Sequence, residues 1–270
     1  LSLFFKGDVL MTALLQVDDL SKEYPLSKFW FSKASVQALA PVSFSIEAYK
    51  TLAIVGEIGS GKSTLAKLLV GAENPTTGQI KLNGQTLQPG NFKQRCQHVR
   101  MIFQDSGTTL NPSLTIRQLL DEALHLNTDL DEAGRTALIR TTLQKVGLLA
   151  EHMNFYPHMF SGGQKQRISL ARAIILSPQV IILDEALASL DPSLRSQMVN
   201  LLLDLQQQMG LAFVLISHNL GIVRHFSDDM MVLCKGNVVE KGSTSSVLKS
   251  PQHKYTKKLI MSQQLHLLHR

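Results

Sequence analysis

Five short apolar runs punctuate the chain, at residues 52–55, 99–103, 180–183, 212–216 and 230–234, and each ends in a polar or glycine-rich turn. Runs of this length, rich in branched side chains, suit strands buried on both faces of a parallel sheet. Between them the period changes. Residues 62–70 and 164–176 carry apolar positions at helical spacing, and in the second segment Ile168, Ala171, Ile174 and Ile175 fall on one face. Strands alternating with helices predict an α/β core. Ahead of the first run, residues 36–46 alternate around Val42, Phe44 and Ile46, the period of an antiparallel sheet. Residues 110–160 show no strand pattern. There Ile116, Leu119, Leu120, Ala123 and Leu124, then Ile139, Leu143 and Val146, recur at helical spacing. This predicts a helical lobe inserted between two strands of the core.

Composition narrows the class. With 44% hydrophobic and 18% charged residues in 270, the chain reads as globular. No apolar run approaches the roughly 18–20 residues that cross a bilayer, so another chain must supply the membrane part of any membrane process. The two cysteines, Cys96 and Cys234, form no CxxC pair and no metal-ligand spacing, which fits a reducing cytosol. The nine histidines are scattered. The net charge of +6 is spread along the chain without an arginine-rich block, so it reads as solvated faces and not as a nucleic-acid surface. Residues 1–10, ahead of Met11, read as a non-native or upstream-start segment; they lack the order of a signal peptide.

The first chemistry sits after the first run. Residues 56–63 read GEIGSGKS, which fits G-x-x-x-x-G-K-[ST] between a predicted strand and a predicted helix. Glycines let the backbone curl so that N–H groups face phosphate oxygens, and the following helix adds its positive end. The candidate phosphate-binding residues are Gly56, Glu57, Gly59, Ser60, Gly61, Lys62, Ser63 and Thr64. Lys62 is expected to reach the β and γ phosphates, and Ser63 to ligate Mg²⁺. A second element ends the run at 180–183. Asp184 and Glu185 stand at the carboxyl end of a predicted parallel strand, where ligands bind in such folds. Asp184 is expected to hold Mg²⁺, and Glu185 to act as general base on the attacking water. A third element, Ser161, Gly162 and Gly163, precedes a helix and makes a second anion-binding terminus. A second terminus makes sense if it closes on a nucleotide held by another subunit.

Residues 160–173, FSGGQKQRISLARA, resemble the signature of the ATP-binding subunits of ATP-binding-cassette (ABC) transporters, with Phe160 where leucine is usual. The resemblance spans residues 14–260 and implies a P-loop NTPase core with an inserted helical subdomain. The implied layout is a core of residues 11–104 and 161–249, a helical subdomain of 105–160 and a C-terminal tail of 250–270. It also implies roles. Gln164 completes the signature, Gln104 is the glutamine that contacts Mg²⁺ or water and the membrane partner, and Asp191 belongs to a loop that crosses the dimer. His218 is the switch histidine at the γ phosphate and, with Lys62 and Glu185, part of the catalytic set. Tyr24 is the aromatic that stacks on adenine, although Phe29, Trp30 and Phe31 lie nearby.

Residues 250–260, SPQHKYTKKLI, resemble the tail of the dipeptide and oligopeptide importer branch. Residues 184–191 (DEALASLD), 126–130 and 156–159 resemble a group within it, the F-type ATP-binding subunits of Sap antimicrobial-peptide transport systems. The branch implies ATP and Mg²⁺, a second, related but different ATPase subunit, two membrane-spanning permease subunits, and a periplasmic or surface solute-binding protein. The subunit is then peripheral, on the cytoplasmic side of the inner membrane, and energises peptide transport. The rival reading is a non-transport cassette ATPase acting on nucleic acid or ribosomes. Such proteins often carry two cassettes or a long coiled coil. This chain has one cassette, and the gap between Gln104 and Ser161 is too short for a coiled coil.

Overall fold

The computed structural model describes residues 13–25, 35–103, 110–188 and 190–268. Along the chain come β1 (Leu15–Pro25), β2 (Ser35–Ile46), β3 (Thr51–Val55), α1 (Lys62–Val70), β4 (Thr77–Leu82), β5 (Gln85–Thr86), α2 (Phe92–His98) and β6 (Val99–Phe103). Next are α3 (Ile116–Asn127), α4 (Glu132–Lys145), two 3₁₀ turns (Ala150–Asn154 and Pro157–Met159) and α5 (Gly162–Ile174). The chain continues with β7 (Val180–Asp184), α6 (Pro192–Met209), β8 (Ala212–Ile216), α7 (Leu220–Phe226), β9 (Asp229–Cys234), β10 (Asn237–Ser243), α8 (Thr244–Lys249) and α9 (Lys254–Leu268).

The five apolar runs form one sheet. Its order is β10-β9-β3-β8-β7-β6, parallel throughout except for the antiparallel edge strand β10. A parallel sheet needs cover on both faces, and side chains alternate between the faces. Leu52 and Ile54 of β3 therefore join Leu65, Leu68 and Leu69 of α1 and Val17, Leu20 and Leu39 of the antiparallel sheet. Ala53 and Val55, one residue along, join Ile168 and Ile174 of α5, Leu202 of α6 and Val223 of α7. The second sheet, order β2-β1-β4-β5, is antiparallel.

The sequence pattern announces β2 but not β1, β4, β5 or β10. In β1 the acids Asp18 and Asp19 interrupt the alternation, the register shifts between Val17 and Leu20, and Asp19 takes φ 45°. That irregularity restores Leu20 to the buried face. Strand β10 is a half-exposed edge, which carries little apolar signal.

Between β6 and β7 every described element is helical. Helix α3 starts at a capping box in which the Thr115 hydroxyl accepts from Gln118 N and the Gln118 side chain accepts from Thr115 N. Leu120, Leu124, Ile139 and Leu143 bury the facing stripes of α3 and α4. Arg135 Nε on α4 donates to Asp121 Oδ1 on α3 at 2.7 Å. No helix is long and apolar enough to cross a membrane among the described residues.

Candidate functional site

Neighbouring parallel strands place their following loops side by side. Strand β3 lies between β8 and β9, with β7 beyond β8. The glycine loop after β3, the acids ending β7 and the histidine after β8 therefore converge at the carboxyl edge of one sheet.

The glycine loop is held by close backbone approaches. A Cβ added at Gly56 would stand 2.2 Å from Leu233 O. At Gly61 it would stand 2.9 Å from Ala38 O, on a backbone with φ 105°. Gly61 precedes α1 and contributes no side-chain cap, so the helix begins with open N–H groups beside the cavity. Lys62 folds back over the loop. Its Nζ donates to Gly56 O and Glu57 O, both at 2.8 Å, and to Ser60 Oγ at 3.3 Å. Burial lowers the Lys62 pKa, while the nearby Glu185 and Asp184 carboxylates oppose that shift. A cavity of about 540 Å³ opens here, lined by Gly59, Gly61, Lys62, Ser63, Thr64, Asp184 and Glu185. That size suits a small ligand.

The acid pair is asymmetric. Burial, then the charge of Glu185, raises the Asp184 carboxyl, and Lys62 pulls it back. Glu185 sits at φ 51° and donates its N–H to Ile216 O at 3.0 Å, which ties it to the end of β8. His218 Nδ1 lies 2.9 Å from each Glu185 oxygen and makes its hydrogen bond to Oε1. Oε2 is buried without a hydrogen-bond partner.

The second predicted anion terminus is built as a helix start. Ser161 caps α5: its Oγ accepts from Gln164 N at 3.3 Å, and Gln164 Oε1 accepts from Ser161 N at 3.0 Å. A Cβ at Gly162 would meet nothing within 4 Å among the described residues. None of Ser161, Gly162, Gly163 and Gln164 lines the Lys62 cavity.

Three other predicted residues lie apart from the cavity or outside the described chain. Asp191 caps α6, its Oδ1 accepting from Ser193 N and Leu194 N at 3.0 Å each. Tyr24 on β1 is absent from the cavity lining. Its hydroxyl donates to Glu73, and Lys22 Nζ stands 5.1 Å from its ring. Burial, then Glu73, raises its pKa, and a hydrogen bond with Thr64 opposes the shift and links it to the loop. Gln104 lies outside the described residues, as do Phe29, Trp30, Phe31 and residues 1–10.

The sequence pattern misses part of the cavity wall. Val36, Gln37 and Ala38 of β2 and Lys235 and Gly236 of the β9–β10 turn also line it. Gly236 N donates to Ser60 O at 2.9 Å, and Ala40 N to Gly236 O at 2.8 Å. A Lys-Gly turn between strands carries no motif, so no linear signal marked it.

A model of the ABC transporter family matches residues 39–188 of the 270. The chain belongs to the ABC transporter family. It is an ATP-binding, ATP-hydrolysing subunit of that family. It is 49% identical over 251 residues to the "Putrescine export system ATP-binding protein SapF" of Escherichia coli (strain K12), covering 93% of this chain and 94% of that one. The "Peptide transport system ATP-binding protein SapF" of Salmonella typhimurium (strain LT2) is likewise 49% identical over 251 residues, with the same coverage. Among solved structures, cbiO1 of Clostridium perfringens, part of the ABC transporter complex cbiONQ, superposes with a TM-score of 0.76 at 26% identity. That comparison covers 96% of this chain and 99% of the other. The two-sheet core with a helical segment between β6 and β7 is thus an ABC ATPase fold.

Proposed function

We propose that this chain hydrolyses ATP in a site completed by a facing ATPase subunit, and that the cycle drives peptide transport. One observation carries the composite site: the start of α5, at Ser161 to Gln164, is capped, open and outside the Lys62 cavity of its own chain. Glycine at a helix start costs stability relative to alanine unless its bare backbone is needed. Nothing described in the protomer occupies the space beside Gly162. A phosphate held by another subunit supplies the missing reason.

The residues then act in sequence. The Lys62 ammonium donates to the carbonyls of Gly56 and Glu57. Phosphate oxygens are stronger acceptors, so Lys62 exchanges the carbonyls for the β and γ phosphates. The loop N–H groups and the start of α1 hold the same phosphates. Glu185 accepts a proton from the attacking water, and His218 holds the Glu185 carboxylate in place. Asp184 and Ser63, both lining the cavity, fit a magnesium ion: a carboxyl disfavoured as an anion by burial and by Glu185 would be relieved by a divalent cation. Gln104, outside the described residues, is the third ligand the family resemblance implies. When bound, the ion neutralises developing phosphate charge. Signature residues Ser161, Gly162, Gly163 and Gln164 close on the nucleotide from across the dimer, with the Asp191 loop beside them. Losing the bridging phosphate then opens the pair. Tyr24 supports the adenine.

Transport needs a membrane partner. Exposed Phe92, Phe103 and Leu126 border a groove of about 520 Å³ between β6, α2, α3 and α5. Exposed apolar surface of this kind marks an interaction site, and we assign it to a permease subunit on the cytoplasmic face of the membrane. Peptide cargo follows the name of the Salmonella relative and the 250–260 tail. The E. coli relative's name favours a second reading, a polyamine exporter. The ATPase partner is a related but different chain, working with two permeases and a solute-binding protein. Affinity purification from cells carrying the whole operon should recover both ATPases together; recovery of this chain only as a homodimer overturns that assignment.

The composite site makes an unusual demand on Gly162→Ala. The folded chain should become slightly more stable, by about 1–3 °C in thermal midpoint, because alanine is the better helix former. Turnover by the assembled transporter should nonetheless fall about tenfold or more, through a blocked phosphate approach. Unchanged turnover would remove Ser161 to Gln164 from the site.

A further inference from the structure

Helix α9 touches both loops of the nucleotide site. Near its start, the Tyr255 hydroxyl accepts a hydrogen bond from Glu57 N at 2.9 Å. Near its end, Gln263 Oε1 accepts from Leu220 N at 2.9 Å, and Gln263 Nε2 donates to His218 O. Tyr255, Leu259 and Gln263 are spaced i, i+4, i+8 and so share one face of the helix, over about 12 Å. Leu259, between the two polar contacts, is buried in the main core. The segment entering α9 is also fixed. The Glu240 carboxylate on β10 accepts from Gln252 N at 2.8 Å and His253 N at 3.0 Å. A helix pinned at its entry and its middle can hold two loops at a set spacing.

The bonded groups are not incidental. Glu57 contributes the carbonyl on which Lys62 rests, and that carbonyl also accepts from Ser60 N at 3.2 Å. Tyr255 holds the other side of the same residue's backbone. At the far end, Gln263 grips the backbone on both sides of Asn219, from His218 O to Leu220 N, while the His218 ring contacts Glu185. Burial raises the Tyr255 hydroxyl pKa, so it stays a neutral phenol.

We propose that Tyr255 and Gln263 are positioning residues for ATP hydrolysis, Tyr255 setting the phosphate loop for nucleotide binding and Gln263 setting His218 against Glu185 for turnover. This rests on the roles given above to Lys62 and His218. It turns the C-terminal tail from an appendage into part of the ATPase machinery.

The test separates binding from turnover in the transporter assembled from the full chain. Tyr255→Phe keeps the ring and removes the acceptor; Gln263→Met keeps length and removes both polar contacts. Loss of one such bond is expected to raise KM for ATP about fivefold in Tyr255→Phe, with kcat within about twofold of wild type. Gln263→Met is expected to lower kcat about tenfold, with KM within about twofold. Wild-type kinetics in either variant, or losses that follow the thermal midpoint with no split between KM and kcat, overturn the proposal. Lys62→Ala runs alongside. Turnover retained by Lys62→Ala overturns the loop assignment itself. An inactive Lys62→Ala with no KM–kcat split in the two tail variants overturns only the present inference.

Discussion

Glu185→Gln should hold ATP and fail to turn it over, with the hydrolysis rate down by about 10²–10⁴-fold. The amide keeps the shape of the carboxylate, and the site contains little that the change would disturb. The Glu185 main chain is tied to β8 through Ile216 O, and the His218 ring can still bond Oε1. What disappears is proton affinity. A neutral amide cannot take the proton that a carboxylate would take from the attacking water. A variant that binds but does not hydrolyse should also trap the closed pair of subunits. Size-exclusion chromatography with ATP should show a stable dimer that the wild type forms only in passing. Normal turnover together with failure to dimerise would remove Glu185 from the role of base.

Lys62→Ala should lose ATP affinity by about 10²-fold or more, and turnover with it. Removing one partner of a desolvated charge pair costs roughly 2–5 kcal/mol, and here the other partner is triphosphate. The fold should survive. Alanine is the best helix former, so the first position of α1 tolerates the change. Its bonds to Gly56 O and Glu57 O organise the loop, which Tyr255 and Gly236 also hold from outside. Equilibrium ATP binding and a thermal melt, measured on the same preparation, check both halves. Wild-type affinity would contradict the phosphate-loop assignment. A collapsed melt would mean that Lys62 serves chiefly to hold the loop.

Much of this protein is written in its linear order. The residues of GEIGSGKS are contiguous, so their spacing alone reports the loop between β3 and α1. The same holds for the acid pair, the serine–glycine helix start and the five buried strands, whose apolar runs need cover on both faces wherever they sit. The period of residues 116–124 and 139–146 sufficed for helices because helical hydrogen bonds close within four residues. Strands β1 and β10 escaped because their pairing, bulge and edge position depend on partners elsewhere in the chain.

Tertiary structure alone decided which pieces meet. The order β9-β3-β8-β7 brings Lys62, Asp184, Glu185 and His218 to one edge, across more than 150 residues of sequence. No local pattern encodes that order, because ladder bonds use backbone groups that every residue carries. Packing also set Tyr255 and Gln263 against the two loops. A tyrosine or glutamine on a terminal helix has no signature of its own. Its meaning comes from the distant amide or carbonyl that the fold places within hydrogen-bond reach.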